Sequence, residues 1–239
     1  MIKSILPLRA VELGYIANAR TLLNGISLTI NRGTFTVVLG PNGAGKSLLL
    51  RLLHGMLEPS TGTISWANGS SADRRRRQAM VFQRPVHLRR SVEANIVFAL
   101  GALGIPRKDR SGLVQLALER AGLTAARRVH ARLLSVGEQQ RLSVARALAA
   151  EPDILFLDEP TASLDPVSVH RIETLLIEAN ARGTAIVLVT HDVSQARRVG
   201  QKIVFLHDGR INGQGPARSF LDNPNSDVAR AYLAGKIIV

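Results

Sequence analysis

Short hydrophobic runs, separated by polar or glycine-containing stretches, predict several strands. Runs with almost no polar residue are typical of strands covered on both faces of a sheet. Such runs lie at residues 35–39, 79–82, 154–157, 185–189 and 204–206. They predict a buried sheet of the parallel type.

Alternating apolar and polar residues predict a second set of strands near the N-terminus. Residues 7–13 and 26–30 alternate in this way, and we expect residues 15–24 to connect them. Residues 63–66 predict another short strand, after a turn at residues 59–62. Together these strands indicate an antiparallel β subdomain.

From residue 86 to about residue 150 the hydrophobic pattern becomes helical. Ser91 is expected to cap one helix and Ser135 to open another. Because this block lies between buried strands, we expect residues 86–150 to form a helical subdomain. It would be inserted into a core made of residues 1–85 and 151–239.

The strand at residues 35–39 leads into a phosphate-binding sequence. Its residues are Gly40, Pro41, Asn42, Gly43, Ala44, Gly45, Lys46 and Ser47. Gly-x4-Gly-Lys-Ser between a strand and a helix is the P-loop motif, in which glycines let backbone N–H groups and a helix N-terminus point at phosphate oxygens. Lys46 would place its charge on the outer phosphates, and Ser47 would offer a hydroxyl to Mg²⁺. A glycine-rich turn without this role is the alternative, but the complete motif favours a nucleoside triphosphate site.

Polar residues at the ends of other buried strands could complete a hydrolytic site. Asp158 and Glu159 follow one such strand, where one carboxylate can bind Mg²⁺ and the other can activate water. Gln83 and His191 each follow another strand; Gln83 could reach Mg²⁺ and the attacking water, and His191 could touch the γ-phosphate. Taken singly, Gln83 is more simply explained as a polar strand cap and His191 as a structural histidine.

Composition limits the possible classes of protein. The net charge of +13 and the pI of about 11.4 favour anionic partners. Nucleic acid is nevertheless not expected, because aromatic residues make up only 4% of the chain and offer no stacking surface. The chain has no cysteine, no apolar run of the roughly 18 residues that a bilayer span requires, and too short an N-terminal apolar segment for a signal peptide. We therefore expect a cytoplasmic protein.

Residues 134–141, Leu-Ser-Val-Gly-Glu-Gln-Gln-Arg, resemble the LSGGEQQR signature of ABC transporter ATPases. As in that family, they lie between the P-loop and the paired carboxylates, at the start of a helix. Further residues match the family's adenine-stacking tyrosine, Q-loop, D-loop and switch histidine, in that order: Tyr15, Gln83, residues 163–165 and His191. The chain thus resembles one ABC ATPase domain over residues 1–239.

The resemblance implies a fold and a site. The fold is α/β, a P-loop NTPase core of the RecA-like type with an antiparallel β subdomain and an inserted helical subdomain. ATP and Mg²⁺ are the implied cofactors. The implied catalytic residues are Glu159, His191, Gln83 and Lys46, and the implied Mg²⁺ ligands are Ser47, Gln83 and Asp158. The implied ATP-binding residues are Tyr15, residues 40–47, Leu48, Ser135, Gly137 and Glu138.

The resemblance also implies partners. Two subunits would form a head-to-tail homodimer, in which Ser135 and the start of its helix close on the γ-phosphate held by the other subunit. The coupling helices of an integral-membrane permease would contact residues 84–89, and a solute-binding protein would act indirectly. The subunit would be peripheral, on the cytoplasmic face of the inner (plasma) membrane.

Two positions depart from the family pattern. Val136 replaces the first glycine of the signature pair, and Leu48 stands where threonine is usual. Helix N-termini tolerate valine, so we expect a modest effect at Val136. Loss of the threonine hydroxyl would remove one hydrogen bond to the α-phosphate, about 1 kcal/mol.

The cargo is suggested by resemblance alone. Residues 80–86 and 229–235 look most like those of tungstate-importer ATPases, which suggests tungstate or a related oxyanion. Phosphate or polar amino-acid importer ATPases are alternatives, and a stand-alone ABC export ATPase is another. A single cassette with a short helical block disfavours translation-factor and DNA-repair ABC proteins.

Overall fold

The computed structural model describes residues 4–236, which form nine strands and nine α helices. The strands are β1 (Leu8–Ala17), β2 (Arg20–Ile30), β3 (Phe35–Leu39), β4 (Thr61–Trp66), β5 (Gln78–Val81), β6 (Ile154–Asp158), β7 (Ala185–Val189), β8 (Lys202–His207) and β9 (Arg210–Pro216). The helices are α1 (Lys46–His54), α2 (Ser71–Arg77), α3 (Val92–Ala102), α4 (Arg107–Ala121), α5 (Val136–Leu148), α6 (Pro166–Ala181), α7 (Val193–Val199), α8 (Ala217–Asp222) and α9 (Asp227–Leu233). Within residues 4–236, none of these helices combines the length and apolar character needed to cross a bilayer.

Six strands form the central sheet, in the order β5-β6-β7-β3-β8-β9. The first five run parallel, and β9 is antiparallel to β8. Every residue of β3, β6 and β7 is buried, which explains their unbroken hydrophobic runs. Because the parallel strands share one direction, their carboxyl ends meet along one edge of the sheet, where ligands of such folds bind.

The central sheet lies between two layers, because successive side chains of a strand face opposite sides. Val38 of β3 packs with α1 and with a three-stranded antiparallel sheet of order β2-β1-β4. Val37 and Leu39 face the other way and pack with apolar residues from α3 to α9. Helices α3, α4 and α5 lie between β5 and β6 along the chain. The predicted α/β class, with its antiparallel sheet and inserted helices, is confirmed.

The predicted connection at residues 15–24 is wrong. Strands β1 and β2 continue as a hairpin to a tight turn at Asn18 and Ala19, whose φ angles are 49° and 59°. Tyr15 therefore lies within β1, paired with Leu23. The register of this hairpin shifts on both sides of Tyr15, so the period-two pattern that reveals a strand is lost there.

Helices α6, α7 and α8 are not predicted from the hydrophobic pattern. Two of them begin at aspartate caps: Asp165 accepts from Ser168 N–H at 2.9 Å, and Asp192 accepts from Ser194 N–H at 2.7 Å. They cover the same face of the central sheet as α5. This packing, rather than sequence periodicity, accounts for them.

Candidate active site

An open cleft of about 700 Å³ lies at the carboxyl edge of the central sheet. Most of the predicted site residues line it, from four different strand ends. They are Asn42, Gly43, Gly45, Lys46, Ser47, Leu48, Gln83, Glu159 and His191, joined by Leu22, Ala162 and Ser163. The parallel order β5-β6-β7-β3 brings the four predicted catalytic residues to one place: Lys46, Gln83, Glu159 and His191.

The P-loop turn requires glycine at two positions in particular. Gly40 has φ 152°, and a Cβ there would overlap the carbonyl oxygen of Leu206. Gly45 caps α1 with φ 96°, and its Cβ would lie 2.7 Å from a Leu23 methyl group. Both positions thus combine a left-handed backbone with close packing, which only glycine tolerates.

Lys46 is held by the loop that it follows. Its ammonium group donates to the carbonyl oxygens of Gly40 at 2.8 Å and Pro41 at 2.9 Å. The side chain is 6% exposed, and burial lowers the pKa of Lys46, while Glu159 and Asp158 act in the opposite direction. The Lys46 ammonium lies 4.0 Å from Glu159. A partly desolvated cation therefore stands where phosphate oxygens would enter.

Ser47 lines the cleft, and the buried Asp158, which does not line it, is its hydrogen-bond partner. The Ser47 hydroxyl donates to Asp158 Oδ1 at 2.7 Å. Ser47 lies in the first turn of α1 and Asp158 ends β6, so this contact joins the P-loop to the carboxylate strand. A hydroxyl beside a buried carboxylate is a donor set that suits Mg²⁺.

The backbone conformation of Glu159 orients its carboxylate toward His191. Its φ is 45°, an uncommon conformation for a residue other than glycine, and its N–H donates to the Val189 carbonyl at 3.0 Å. This turn brings its carboxylate to 3.2 Å from Nδ1 of His191. Strained non-glycine conformations of this kind concentrate at functional sites.

Tyr15 and the signature residues do not line this cleft. Tyr15 is half-buried against the cluster that contains α1. Ser135 caps α5 by accepting from Glu138 N–H at 3.3 Å, and the Glu138 carboxylate accepts from Ser135 N–H at 2.9 Å. A Cβ on Gly137 would overlap Ser168 of α6. The signature residues therefore form the capped N-terminus of α5, which lies outside the cleft that contains the P-loop of the same chain.

Leu22 is a cleft residue that the sequence does not predict. It lies on β2 and lines the cleft beside the P-loop. Its carbonyl also closely approaches Gly209 and Gly45. No local signal identifies it, because an apolar residue in a strand is expected in any fold.

A P-loop beside a strand-end carboxylate pair defines the class of P-loop nucleoside triphosphatases. Residues 23–162, more than half of the chain, match the ABC transporter family. The chain belongs to this family: it is an ATP-binding subunit and an ATPase.

Named relatives and a solved structure are similar along most of the chain. The phosphate import ATP-binding protein PstB 2 of Natronomonas pharaonis is 36% identical over 237 residues, covering 91% of this chain and 82% of the relative. A probable anion import ATP-binding protein of Haloferax volcanii is 34% identical, covering 97% of this chain and 88% of the relative. A solved ATP-binding subunit of an ABC transporter superposes with a TM-score of 0.83 at 27% identity, covering 96% of this chain and 100% of that one.

Proposed function

We propose that this protein hydrolyses ATP to drive an ABC importer, with the cleft residues in the roles that their sequence matches suggest. The observation that carries the proposal is that Lys46, Ser47 and the Glu159–His191 pair line one cleft, with Asp158 bonded to Ser47 directly behind it. Lys46 binds the outer phosphates. Glu159 takes a proton from the attacking water, and His191 contacts the γ-phosphate.

Mg²⁺ fits the oxygen donors of this cleft. Ser47 and Asp158 would hold it together with Gln83, which lines the same cleft. Mg²⁺ characteristically binds through one or two protein oxygens and the substrate phosphates. The ion would neutralise charge on the phosphates.

We propose a head-to-tail homodimer because the signature and the P-loop of one chain lie apart. The α5 start, with Ser135 and Glu138 in a capping box, offers N–H groups and a positive helix end to an anion. Two chains facing each other would place each α5 start over the γ-phosphate that the partner binds.

We propose that Tyr15 stacks on the adenine ring of ATP.

Val136→Gly is expected to change ATP turnover by less than about tenfold. The Val136 side chain is 63% exposed, so removing it relieves no overlap. Gly137→Ala is the matched neighbour, and a larger loss is expected because its Cβ would overlap Ser168. Steady-state phosphate release by both variants tests this pair, and a gain above tenfold for Val136→Gly would show that the valine restrains turnover.

A permease partner is supported by the connection between the Q-loop and α5. Gln140 donates to the Phe82 carbonyl at 3.2 Å, and Arg146 donates to the Val86 carbonyl at 3.0 Å. These contacts lie on either side of Gln83, while Val86 itself is 74% exposed. We propose that residues 84–89 receive the permease, and that residues 86–150 move together as the helical subdomain. The subunit would then be peripheral, on the cytoplasmic face of the membrane.

We propose tungstate or a related oxyanion as the cargo. The support is the likeness of residues 80–86 and 229–235 to tungstate-importer ATPases, together with relatives named for phosphate and anion import. Since an ABC ATPase does not contact the cargo, phosphate, polar amino acids and export remain competing outcomes of the test.

The test is ATP turnover by this subunit reconstituted with its permease in liposomes. The solute-binding protein would be added loaded in turn with tungstate, molybdate, sulfate, phosphate or glutamine, and a Lys46→Ala subunit would give the background. Stimulation by tungstate or molybdate alone is the expected result. Stimulation by phosphate or glutamine would identify that solute as the cargo in place of tungstate. Turnover independent of any binding protein would overturn the import proposal in favour of export.

A further inference from the structure

Tyr232, on the last helix described, connects two parts of the active site. Its ring packs on Phe205 of β8, with centroids 5.2 Å apart. Its hydroxyl lies 3.3 Å from the carbonyl oxygen of Gly40 and 3.2 Å from that of His191. One phenolic proton thus faces both the first residue of the P-loop and the backbone of His191.

The two carbonyl groups depend on this hydroxyl to different extents. The Gly40 carbonyl also accepts from Lys46 at 2.8 Å, and Gly40 is confined by the Leu206 backbone. For the His191 carbonyl, the Tyr232 hydroxyl is the sole hydrogen-bond donor among residues 4–236. Removing the hydroxyl should therefore release His191 more than the P-loop.

His191 lies between its backbone anchor and Glu159. Its ring is 59% exposed, and its Nδ1 atom contacts Glu159 at 3.2 Å. An exposed ring needs a fixed backbone to keep this contact. Tyr232 can supply that anchor at any physiological pH. Burial raises the pKa of its hydroxyl, so the hydroxyl keeps its proton and remains a hydrogen-bond donor.

We propose that Tyr232 is a positioning residue for ATP hydrolysis, which holds the His191 backbone so that the imidazole stays in register with Glu159 and the γ-phosphate. This inference rests on the proposed role of His191. In this arrangement α9 connects the P-loop to His191 through the Tyr232 hydroxyl.

Tyr232→Phe in the full-length subunit tests the hydroxyl, because phenylalanine keeps the ring against Phe205. We expect kcat to fall about three- to tenfold, as for the loss of one hydrogen bond. The KM for ATP and the affinity for a fluorescent ATP analogue should stay within about twofold, because Lys46 keeps its own contacts. Arg230→Gln is the matched control: it alters an exposed ion pair of the same helix, Arg230–Asp227, and should leave kcat unchanged.

Tyr232→Leu separates positioning from packing. If Tyr232 acts only by packing, Tyr232→Phe will retain full kcat and only Tyr232→Leu will lose it, together with thermal stability, and the proposal is overturned. The proposal instead expects the loss of kcat already in Tyr232→Phe, with Tm nearly unchanged.

The His191→Ala background shows which group Tyr232 acts through. Residues that act as a unit give non-additive effects, so Tyr232→Phe should cost less than about twofold in that background. A full additional loss there would overturn the route through His191. If His191→Ala alone leaves turnover unchanged, the proposed role of His191 fails, and the inference about Tyr232 fails with it. If Tyr232→Phe keeps parental kcat while His191→Ala loses it, the proposed role of His191 stands and only the positioning role of Tyr232 is overturned.

Discussion

Glu159→Gln is expected to lower steady-state ATP turnover by about 100-fold or more, while ATP binding is kept. Glutamine has the same shape as glutamate but cannot accept the proton of the attacking water, and general-base catalysis contributes about 10²- to 10⁴-fold. The P-loop contacts of Lys46 with Gly40 and Pro41 do not involve this carboxylate. ATP should therefore bind and remain, which would trap the proposed head-to-tail dimer.

Two measurements check this expectation. Phosphate release gives turnover, and size-exclusion chromatography with Mg·ATP gives the fraction of dimer. Glu151→Gln is a close control, because Glu151 has nearly the same φ, 47° against 45°, yet is 60% exposed and pairs with Arg120. Parental turnover in Glu159→Gln would exclude Glu159 as the base, and loss of ATP binding would mean that its carboxylate supports the P-loop.

Lys46→Ala is expected to weaken ATP binding about 10- to 100-fold and to lower turnover by about 100-fold or more. A hydrogen bond to a charged group contributes about 1.5–3 kcal/mol, and electrostatic stabilisation of the transferred phosphoryl group adds to the loss in turnover. The ammonium group is buried between the Gly40 and Pro41 carbonyls. Its removal leaves both carbonyls and Glu159 without their cation.

Lys46→Arg tests whether charge alone suffices. The planar guanidinium is larger than the ammonium group and has a different geometry, and the Lys46 side chain is only 6% exposed. We expect Lys46→Arg to bind ATP poorly as well, as isothermal titration would measure. Parental binding and turnover in Lys46→Arg would mean that position 46 contributes only its charge.

The two variants fail at different steps, which makes them informative together. Glu159→Gln should bind ATP and dimerise without turnover, whereas Lys46→Ala should do neither. If both lose binding, the cleft acts as one structural unit. If neither loses turnover, hydrolysis takes place elsewhere.

Elements with a local signal were predictable from the sequence. The runs at β3, β6 and β7 are buried on both faces, so their strands are visible as unbroken hydrophobic stretches. The P-loop and the signature depend on contiguous spacing, which fixes the local backbone. Around Tyr15 the sequence predicts a connection instead of a strand, because the register shifts of β1 interrupt its alternation.

Elements without a local signal needed the tertiary structure. Tyr232 and Gly40 are 192 positions apart, and no spacing rule relates them. Leu22 is likewise an ordinary strand residue until the P-loop packs beside it. The need for glycine at Gly137 depends on Ser168 of α6, a helix that the hydrophobic pattern did not reveal.

The sequence by itself determined that this protein binds ATP and resembles the ABC ATPases, because contiguous motifs carry that information. Only the tertiary structure decided which groups meet: Lys46 with Glu159, Glu159 with His191, and Ser47 with Asp158. The physical reason is the strand order β5-β6-β7-β3, which differs from the order along the chain. Contacts between strand ends follow the sheet, and the sheet is set by packing of the whole core.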